Sequence, residues 1–558
     1  MQNYLEPAGT PPNTSHGTAV LDEAHIGDIR GAMGTIRVND MSPRRTWRKK
    51  LATLFAIMGP GLIVMVGDND AGGVSTYTAA GQNYGTSLLW TLLLLVPVLI
   101  VNQEMVLRLG AVAGVGHARL IFERFGKFWG AFSVGDLFIL NFLTIVTEFI
   151  GISQGFSYFG IDPLLSVPIF AILLVTIVLT GSFKRWETFM LIFVLGNLLF
   201  IPLLLLSRPH AGPVVKGYLI PGIQGGINSN AILLIIAIVG TTVAPWQLFF
   251  QQSNVVDKRI TPRWINFERW DTVLGSVVTQ IGAGCLLIAA AFIFQGTKYA
   301  GQFTGSDATM AAYKDSGNDL MATLYAILLI DAAFIGAGAV TLATAYAFGD
   351  SFRIKHSLHR KFTDAKGFYV VYTLLIVAAA GIVIIPNAPL GLMTTAVQAL
   401  AGLLLPSATV FLLLLCNDKA VLGPWVNKPW LNVVAAIIVG VLIVLSLILA
   451  STTLFPDWDG VLVTEILFAI LAVSLVVIGA FYQVQTRRKA ATAEQVSATE
   501  AAWDKNTWRM APLETLKKPV MSPVRFIGLS VLRLYLVVEA VLLVIKIVQL
   551  AIGGGSGS

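Results

Sequence analysis

The sequence predicts an all-α, polytopic membrane protein in which two spanning helices are interrupted at corresponding places of two inverted halves. Three observations lead to this fold class. The chain of 558 residues is 55% hydrophobic and only 12% charged, whereas soluble proteins carry about 25% charged residues. Apolar runs of about 17–25 residues, the length that crosses a bilayer, recur along nearly the whole chain. Two of these runs contain residues that break a continuous helix.

Twelve runs are predicted to span the membrane, and they form one membrane domain over residues 51–484. Most Lys and Arg lie in the N-terminal tail, in the loops that follow even-numbered spans and in the C-terminal segment. The opposite loops hold only Arg208, Lys216, Lys298 and Lys314. Because cytoplasmic loops retain positive charge, we predict a cytoplasmic N-terminus in the cell (plasma or inner) membrane. The net charge of +7 then reflects topology, and nucleic acid is not an expected partner. The predicted spans cover residues 53–81, 86–107, 129–158, 165–181, 187–207, 230–253, 270–296, 319–349, 368–386, 390–416, 431–451 and 461–484.

The two ends of the chain are predicted to lie outside this domain. Residues 1–50 form a cytoplasmic tail that we expect to be largely disordered and that ends in a basic collar from Ser42 to Lys50, an anchor for an anionic leaflet. Residues 485–552 form a cytoplasmic linker and an apolar C-terminal helix. The charges at Arg533, Glu539 and Lys546 fall near one face of that helix, which favours a membrane-surface or bundle-docked helix over a thirteenth span. Residues 553–558 are interpreted as an added Gly/Ser linker.

The first span is interrupted at Gly67–Gly73, where two carboxylates and two adjacent glycines occur at membrane depth. An ionised Asp in a spanning helix is costly unless it faces a wet cavity or a partner, so it marks a functional site. Unwinding at the glycines exposes carbonyl oxygens that a cation can satisfy. We therefore predict a cation site at Asp70. Asp68 is either a second ligand or the cap of the half-helix beyond the break, whose positive dipole end suits a carboxylate.

The sixth span carries the second interruption, at Pro245. Proline lacks an amide hydrogen and clashes with the preceding turn, so the carbonyls of Thr241 and Thr242 lose their helical partners. Each break lies in the first helix of a five-span set, and spans 1–5 and 6–10 have opposite orientations because five is odd. Interrupted helices at corresponding places in two inverted halves indicate the central site of a transporter.

Other polar residues in the spans are candidates for the same site. Glu148 in the third span is either a relay or electrostatic group in an ion path or a helix-packing carboxyl. Gln247 and Gln398 are either ligands or amides that bridge helices. Trp246 is interpreted as a packing or gating aromatic. Glu104 and Arg108 lie one turn apart and are predicted to pair.

These motifs resemble the NRAMP divalent-metal transporters from about residue 51 to 451. The resemblance rests on Gly59-Pro60-Gly61, Asp70-Ala71-Gly72-Gly73, Ala244-Pro245-Trp246-Gln247 and Leu403-Leu404-Leu405-Pro406. It implies a LeuT-type fold with two inverted five-helix repeats, helices 1–5 and 6–10, plus additional C-terminal helices. It also implies an ion site where helices one and six are both unwound.

The departures from the family pattern indicate which ion is carried. Gly73 stands where proton-coupled members have Asn, Ala244 where they have the metal-binding Met, and Trp246 where they have His. In the third helix the Asp-x-x-Glu pair becomes Ile145 and Glu148. A thioether favours transition metals, whereas Mg²⁺ keeps several waters and needs room and one or two carboxylates. The pattern is closest to the NRAMP-related magnesium transporters.

The sequence therefore predicts uncoupled import of Mg²⁺, and also Mn²⁺, by alternating access. Divalent cations are the substrate, and neither a cofactor beyond the transported ion nor an obligate protein partner is expected. The predicted ion-path or gating residues are Glu148 and Trp246. The predicted metal-site residues are Asp70, Gly73, Asp68, Thr241, Ala244, Gln247 and Gln398. The alternative is a proton-coupled Mn²⁺/Fe²⁺ symporter whose proton path runs through Glu148.

An integral membrane enzyme is a remote alternative. The sequence contains no His-Glu-x-x-His motif, and an enzyme would need a nucleophile and a base within reach of each other. We expect His117, His356 and His359 to be solvated in cytoplasmic segments. The paired acids at the first break also argue against an amino-acid symporter, since they repel the substrate carboxylate.

Overall fold

The computed structural model describes residues 23–385, 390–455, 458–490 and 504–516, with isolated residues at 519, 529, 532, 537 and 541. Almost all regular structure in this part is helical. A short antiparallel hairpin precedes the helices and consists of β1 (Ile29–Gly31) and β2 (Gly34–Ile36). The helices are α1 (Trp47–Ile57), α2 (Pro60–Val66), α3 (Ala71–Tyr84), α4 (Leu89–Ala113), α5 (His117–Phe125), α6 (Lys127–Tyr158), α7 (Pro163–Leu179), α8 (Phe183–Gly196), α9 (Phe200–Leu206), α10 (Ala211–Leu219), α11 (Ser229–Thr242), α12 (Pro245–Asp257), α13 (Ile265–Phe294), α14 (Ser306–Asp315), α15 (Asp319–Phe352), α16 (Lys366–Val383), α17 (Leu390–Cys416), α18 (Lys419–Leu422), α19 (Pro429–Leu454) and α20 (Gly460–Ala490).

The predicted spans all have helical counterparts. Within the described residues, ten helical stretches are long and apolar enough to cross a membrane. The fourth predicted span corresponds to α7, a shorter apolar helix. The first corresponds to the broken series α2 and α3. The prediction of an all-α polytopic membrane protein is confirmed. The physical reason is that apolar runs of this length satisfy their backbone hydrogen bonds in lipid only as helices.

The first span begins differently from the prediction, because α1 is a separate helix. The axes of α1 and α2 meet at a bend of 57°. The cause is local: Gly59 has φ +154°, which L side chains rarely adopt, and Pro60 occupies the first turn of α2. The carboxylate of Asp271 on α13 accepts the amides of Gly59 and Gly61 at 3.0 and 2.7 Å. These bonds fix the entry to the first span.

The expectation of a largely disordered N-terminal tail is wrong for residues 23–50. The hairpin packs on α1, with Ile29 and Ile36 buried. Its turn is tied down because the Ala32 amide donates to Glu187 Oε2 at 2.6 Å. Arg259 Nε donates to the Ala24 carbonyl at 2.9 Å. These partners come from distant parts of the chain, so the composition of the tail gives no sign of them.

Two further expectations are corrected. His117 and His356 are buried rather than solvated, since packing of the loops covers them, and burial lowers the pKa of His117 to about 4. Helix α20 continues past residue 484 to Ala490. Near the C-terminus, Met510 N donates to the Val112 carbonyl at 3.2 Å, so part of the predicted linker contacts α4. Apart from the isolated residues given above, the predicted helix at 526–552 and linker at 553–558 lie outside the described residues.

The predicted pair of Glu104 and Arg108 is present, with 3.2 Å between Oε2 and Nη2.

Candidate ion-binding site

The first break is a four-residue interruption between α2, which ends at Val66, and α3, which begins at Ala71. Asp70 caps α3, since its Oδ1 accepts the Gly73 amide at 2.7 Å. Asp68 is therefore not the cap of α3, which was the alternative role considered for it. The residue directly before a helix is placed to accept that backbone N–H, and Asp68 lies two positions too early. Both carboxylates are almost completely buried.

The second break is shorter and carries no charge. Helix α11 ends at Thr242, Val243 and Ala244 are unwound, and α12 starts at Pro245. The Ala244 carbonyl accepts a hydrogen bond from the backbone N–H of Gln247 at 3.2 Å. Ala244 is buried and extends no further than its Cβ. The site therefore has no thioether at this position.

An amide network joins the two breaks. Gln247 Nε2 donates to Asp68 Oδ1, and also to the Thr242 carbonyl at 3.2 Å. Gln103 Nε2 on α4 donates to Gln247 Oε1 at 3.0 Å. The sequence reasoning missed Gln103, although the polar pair Asn102-Gln103 within an apolar run was a usable signal. Gln247 thus bridges the breaks and orients Asp68.

Helices α6 and α15 close the site around Asp70. Glu148 Oε2 accepts the Ala71 amide at 3.1 Å, so its carboxylate lies at the start of α3. Gly336 on α15 faces both acids: a Cβ added there would lie 2.5 Å from Glu148 Oε2 and 2.8 Å from Asp70 Cβ. Only a residue without a side chain allows this approach. Gly336 was not predicted as a site residue, and its signal was the run of small residues at 336–339.

The two glycines after Asp70 are needed for space. A Cβ on Gly73 would come within 2.5 Å of the Asp68 carbonyl and 3.1 Å of Thr241 Oγ1. The side chain of Gln398 fills the space beside Gly72, where an added Cβ would overlap its Nε2. An Asn at position 73, as the resemblance implies for proton-coupled members, does not fit this backbone.

Several buried oxygen atoms at the breaks have no hydrogen-bond partner among the described residues: Asp68 Oδ2, Asn69 Oδ1, Glu148 Oε1 and Thr241 Oγ1. Gln398 Nε2 is likewise unpartnered. An unsatisfied buried polar atom costs about 1–3 kcal/mol. Carboxylate, amide and hydroxyl oxygens are the ligands that hard divalent cations take. The chemistry of these atoms fits such an ion.

The number of acids limits the kind of site. Within the described residues, no three His, Cys, Asp or Glu side chains group closely enough to hold one metal ion together. A cation between the breaks would therefore combine few carboxylates with neutral oxygens or water.

Trp246 is buried against the first break, where its Cη2 lies 3.1 Å from the position of a Cβ on Gly67.

Comparison with known families identifies the type of protein. Residues 61–452 match the model of the Nramp family, described as natural resistance-associated macrophage protein-like. The chain belongs to the Nramp family. The match spans both helix breaks and Gln398, so the family region includes every predicted site residue. The resemblance seen in the sequence is thereby confirmed.

Curated relatives of this family member are similar over most of their length. The divalent metal cation transporter MntH of Ralstonia nicotianae is 28% identical over 397 residues, which is 68% of this chain and 86% of the relative. The MntH protein of Aeromonas hydrophila is 26% identical over 393 residues, 67% of this chain and 90% of the relative. Both are named as transporters, so the enzyme alternative is set aside.

Among solved structures, a mutant of the manganese transporter of Eremococcus coleocola matches with a TM-score of 0.59 and 19% identity, over 80% of this chain and 97% of that chain. The same transporter with a bound bis-isothiourea compound matches equally well, at 20% identity. At this identity the likeness concerns the fold. The predicted NRAMP arrangement, LeuT-type with inverted five-helix repeats, is confirmed at that level.

Proposed function

We propose that this divalent metal cation transporter of the NRAMP type carries Mg²⁺, and also Mn²⁺, into the cell without coupling to protons. The transported ion occupies the space between the two helix breaks and keeps part of its water shell. The N-terminus lies in the cytoplasm, and the transporter lies in the plasma or inner membrane.

The proposal rests on two observations: several buried oxygen atoms at the breaks have no hydrogen-bond partner in the described part of the chain, and Ala244 offers no sulfur ligand. Asp68 Oδ2, Glu148 Oε1 and Thr241 Oγ1 lack partners among the described residues, and Ala244 supplies no soft ligand. Mg²⁺ is bound through one or two carboxylates and retained waters rather than by an all-protein cage. A site with oxygen ligands and no sulfur suits Mg²⁺ and Mn²⁺ better than a soft metal ion that favours a thioether.

Each predicted residue receives a role in this proposal. Asp70 provides the main charge, and Asp68, oriented by Gln247, provides the second. Thr241 and Gln398 contact the ion or its waters. Gly73 and Ala244 leave the space that waters occupy. The breaks act as hinges for alternating access, and Trp246 packs at the first of them as a gating aromatic.

Proton coupling is the second candidate, and one contact favours it. Glu148 bonds to the first amide of α3 and shares the face of Gly336 with Asp70. A carboxyl in that place can exchange a proton with an adjacent acid when a cation arrives. In this variant of the function, Glu148 replaces the missing acid at Ile145.

Transport by purified protein in sealed liposomes tests both. We expect Mg²⁺ to enter down its gradient, to compete with Mn²⁺, and to leave the internal pH unchanged. Acidification of the lumen in step with Mg²⁺ entry would establish the coupled alternative. Failure of Mg²⁺ to compete with Mn²⁺ would overturn the proposed selectivity.

A further inference from the structure

The helix α1 exposes an apolar stripe although it precedes the first span. Trp47, Leu51 and Phe55 follow one another at four-residue intervals on one face and are 69%, 40% and 39% exposed. The opposite face, with Thr53, Ala56 and Ile57, is buried. Basic side chains interleave with the stripe. This is the pattern of a helix that lies in the plane of a membrane surface with its apolar face among the lipids.

A groove of about 520 Å³ lies between α1 and the β1–β2 hairpin. It combines apolar walls with two basic side chains, Arg44 and Lys49. Its apolar walls include Met33, Ile36, Phe55 and Ala56. A cavity of this volume takes a small-molecule ligand.

The basic side chains of the groove differ in their readiness to bind an anion. Arg44 is held in place, since its Nη2 donates to Asp40 Oδ2 at 2.7 Å and its guanidinium lies 5.2 Å from the centre of the Trp264 ring. Hydrogen bonds from Arg44 and Ser42 hold the pKa of Asp40 well below its usual range. Lys49 lines the groove, whereas Arg48 precedes it on α1 outside the groove wall, with its guanidinium 5.9 Å from the centre of the Trp47 ring. Both side chains are exposed and form no ion pair with another described residue. Their charges are available to a ligand.

We propose that this groove binds an anionic phospholipid, with the phosphate at Lys49 and Arg48 and an acyl chain along Met33 and Phe55. The basic residues complement the charge of a lipid phosphate, and the apolar walls suit an acyl chain. A soluble anion would make no contact with the exposed apolar stripe. Each Lys or Arg of a juxtamembrane basic segment strengthens its attachment to an anionic leaflet by about fivefold.

The position of the groove links the lipid to the first span. The Lys258 ammonium donates to the carbonyls of Ile57 and Met58 at 2.6 and 2.8 Å, where α1 turns into α2. The hairpin tip is bonded to Glu187, which also accepts from Lys258 at 2.6 Å. A lipid seated between hairpin and helix therefore braces the entry to the broken first span. An effect on uptake, unlike lipid binding itself, rests on the proposed function.

Titration of the full-length protein in a zwitterionic detergent-lipid micelle with fluorescent phosphatidylglycerol tests the site directly. We expect R48Q/K49Q to weaken binding by about thirtyfold, and by no less than about fivefold if only one of the two residues contacts the headgroup, since each basic residue near an anionic headgroup contributes about fivefold. The matched control K184Q/R185Q removes the same charge from exposed positions on the same predicted side, and we expect it to change binding by less than about twofold. Phosphatidylcholine should bind weakly to all forms.

Three results would overturn the proposal. Equal affinity of the wild type and R48Q/K49Q would show that the groove is not the site. An equal loss in both double variants would show a general effect of surface charge. Displacement of the lipid by soluble glycerol phosphate would show a phosphate site rather than a lipid site. The variant F55S, checked for an unchanged unfolding temperature, should weaken binding of the lipid as well. None of these measurements depends on transport, so they stand apart from the proposed selectivity.

Discussion

The two helix breaks contribute different things to the site. The first brings charge, with Asp68 and Asp70 buried in a four-residue interruption, and is surrounded by glycines that allow other helices to approach. The second brings no charge. Together with the helix ends beside it, it supplies a carbonyl, a hydroxyl and an amide, and Ala244 contributes no side-chain ligand. Under the proposed function, the first break would decide how strongly a divalent cation is held, whereas the second would decide which cation fits.

This division explains the direction of the hydrogen bonds between them. Gln247 of the second break donates to Asp68 of the first, so the neutral break orients a carboxylate of the charged one. Loss of a charge should therefore abolish uptake, and changes at the neutral break should alter selectivity or affinity. Four substitutions test this from the largest expected effect to the smallest.

Asp70→Asn should reduce Mg²⁺ uptake by about a hundredfold or more, because it removes the charge that holds the ion while keeping the cap on α3, a change of about 2.7 kcal/mol. Initial rates in proteoliposomes measure it. Asp331→Asn is the matched control, since this buried acid on α15 accepts from Asn197 Nδ2 at 2.9 Å rather than from a residue of either break. Normal uptake by the Asp70 variant would remove the central claim about the site.

Asp68→Asn should raise the KM for Mg²⁺ by about tenfold, with a smaller effect on the maximal rate, because the variant loses charge but keeps an oxygen for Gln247. Concentration dependence of uptake measures it. If Asp68 only orients Gln247, the KM should stay at the wild-type value.

Ala244→Met should raise the affinity for Cd²⁺ by about tenfold and lower that for Mg²⁺, because a thioether is a soft ligand and fills space that waters occupy. Calorimetric titration with each ion measures the change. An unchanged Cd²⁺ affinity would contradict the assignment of selectivity to the second break. Tight Cd²⁺ binding already in the wild type would favour the transition-metal alternative.

Thr241→Val should weaken Mg²⁺ binding by about threefold, since a neutral hydroxyl near a hydrated ion contributes no more than an ordinary hydrogen bond. Competition with Mn²⁺ gives the affinity. Thr241→Ser retains the oxygen and should behave as the wild type. An equal loss in both variants would show that the methyl group, rather than the hydroxyl, matters.

The positions that the sequence indicated share one property: each carries a residue type that is energetically unfavourable in its local context. Asp70 in an apolar run, Pro245 in a helix and Gly72-Gly73 beside an acid each contradict the local pattern, so each is visible without a structure. Gln103 and Gly336 are not anomalous in this way. Their sequence signals, a polar pair in an apolar run and a run of small residues, are common in spanning helices, and only the contacts with Gln247, Glu148 and Asp70 assign these two residues to the site.

In the N-terminal region, the sequence predicted disorder where the structure is ordered. Its Gly- and Pro-rich composition indicated disorder, yet Ala32 bonds to Glu187 and Ala24 bonds to Arg259, at separations of 155 and 235 residues in the sequence. Bonds at such separations leave no local signal. The same reason hid the burial of His117, which depends on Gln252 of α12 as its partner at 2.8 Å.

The sequence by itself determined the helical membrane fold, the places of both breaks and the residues that bring charge to them, because length, hydropathy and helix-breaking chemistry are local properties. The tertiary structure decided which acid caps α3, that Gln247 joins the breaks, that Gly336 admits Glu148 to the side of Asp70, and which oxygens remain unpartnered. Those outcomes depend on distances between helices far apart in the chain, and packing alone sets such distances.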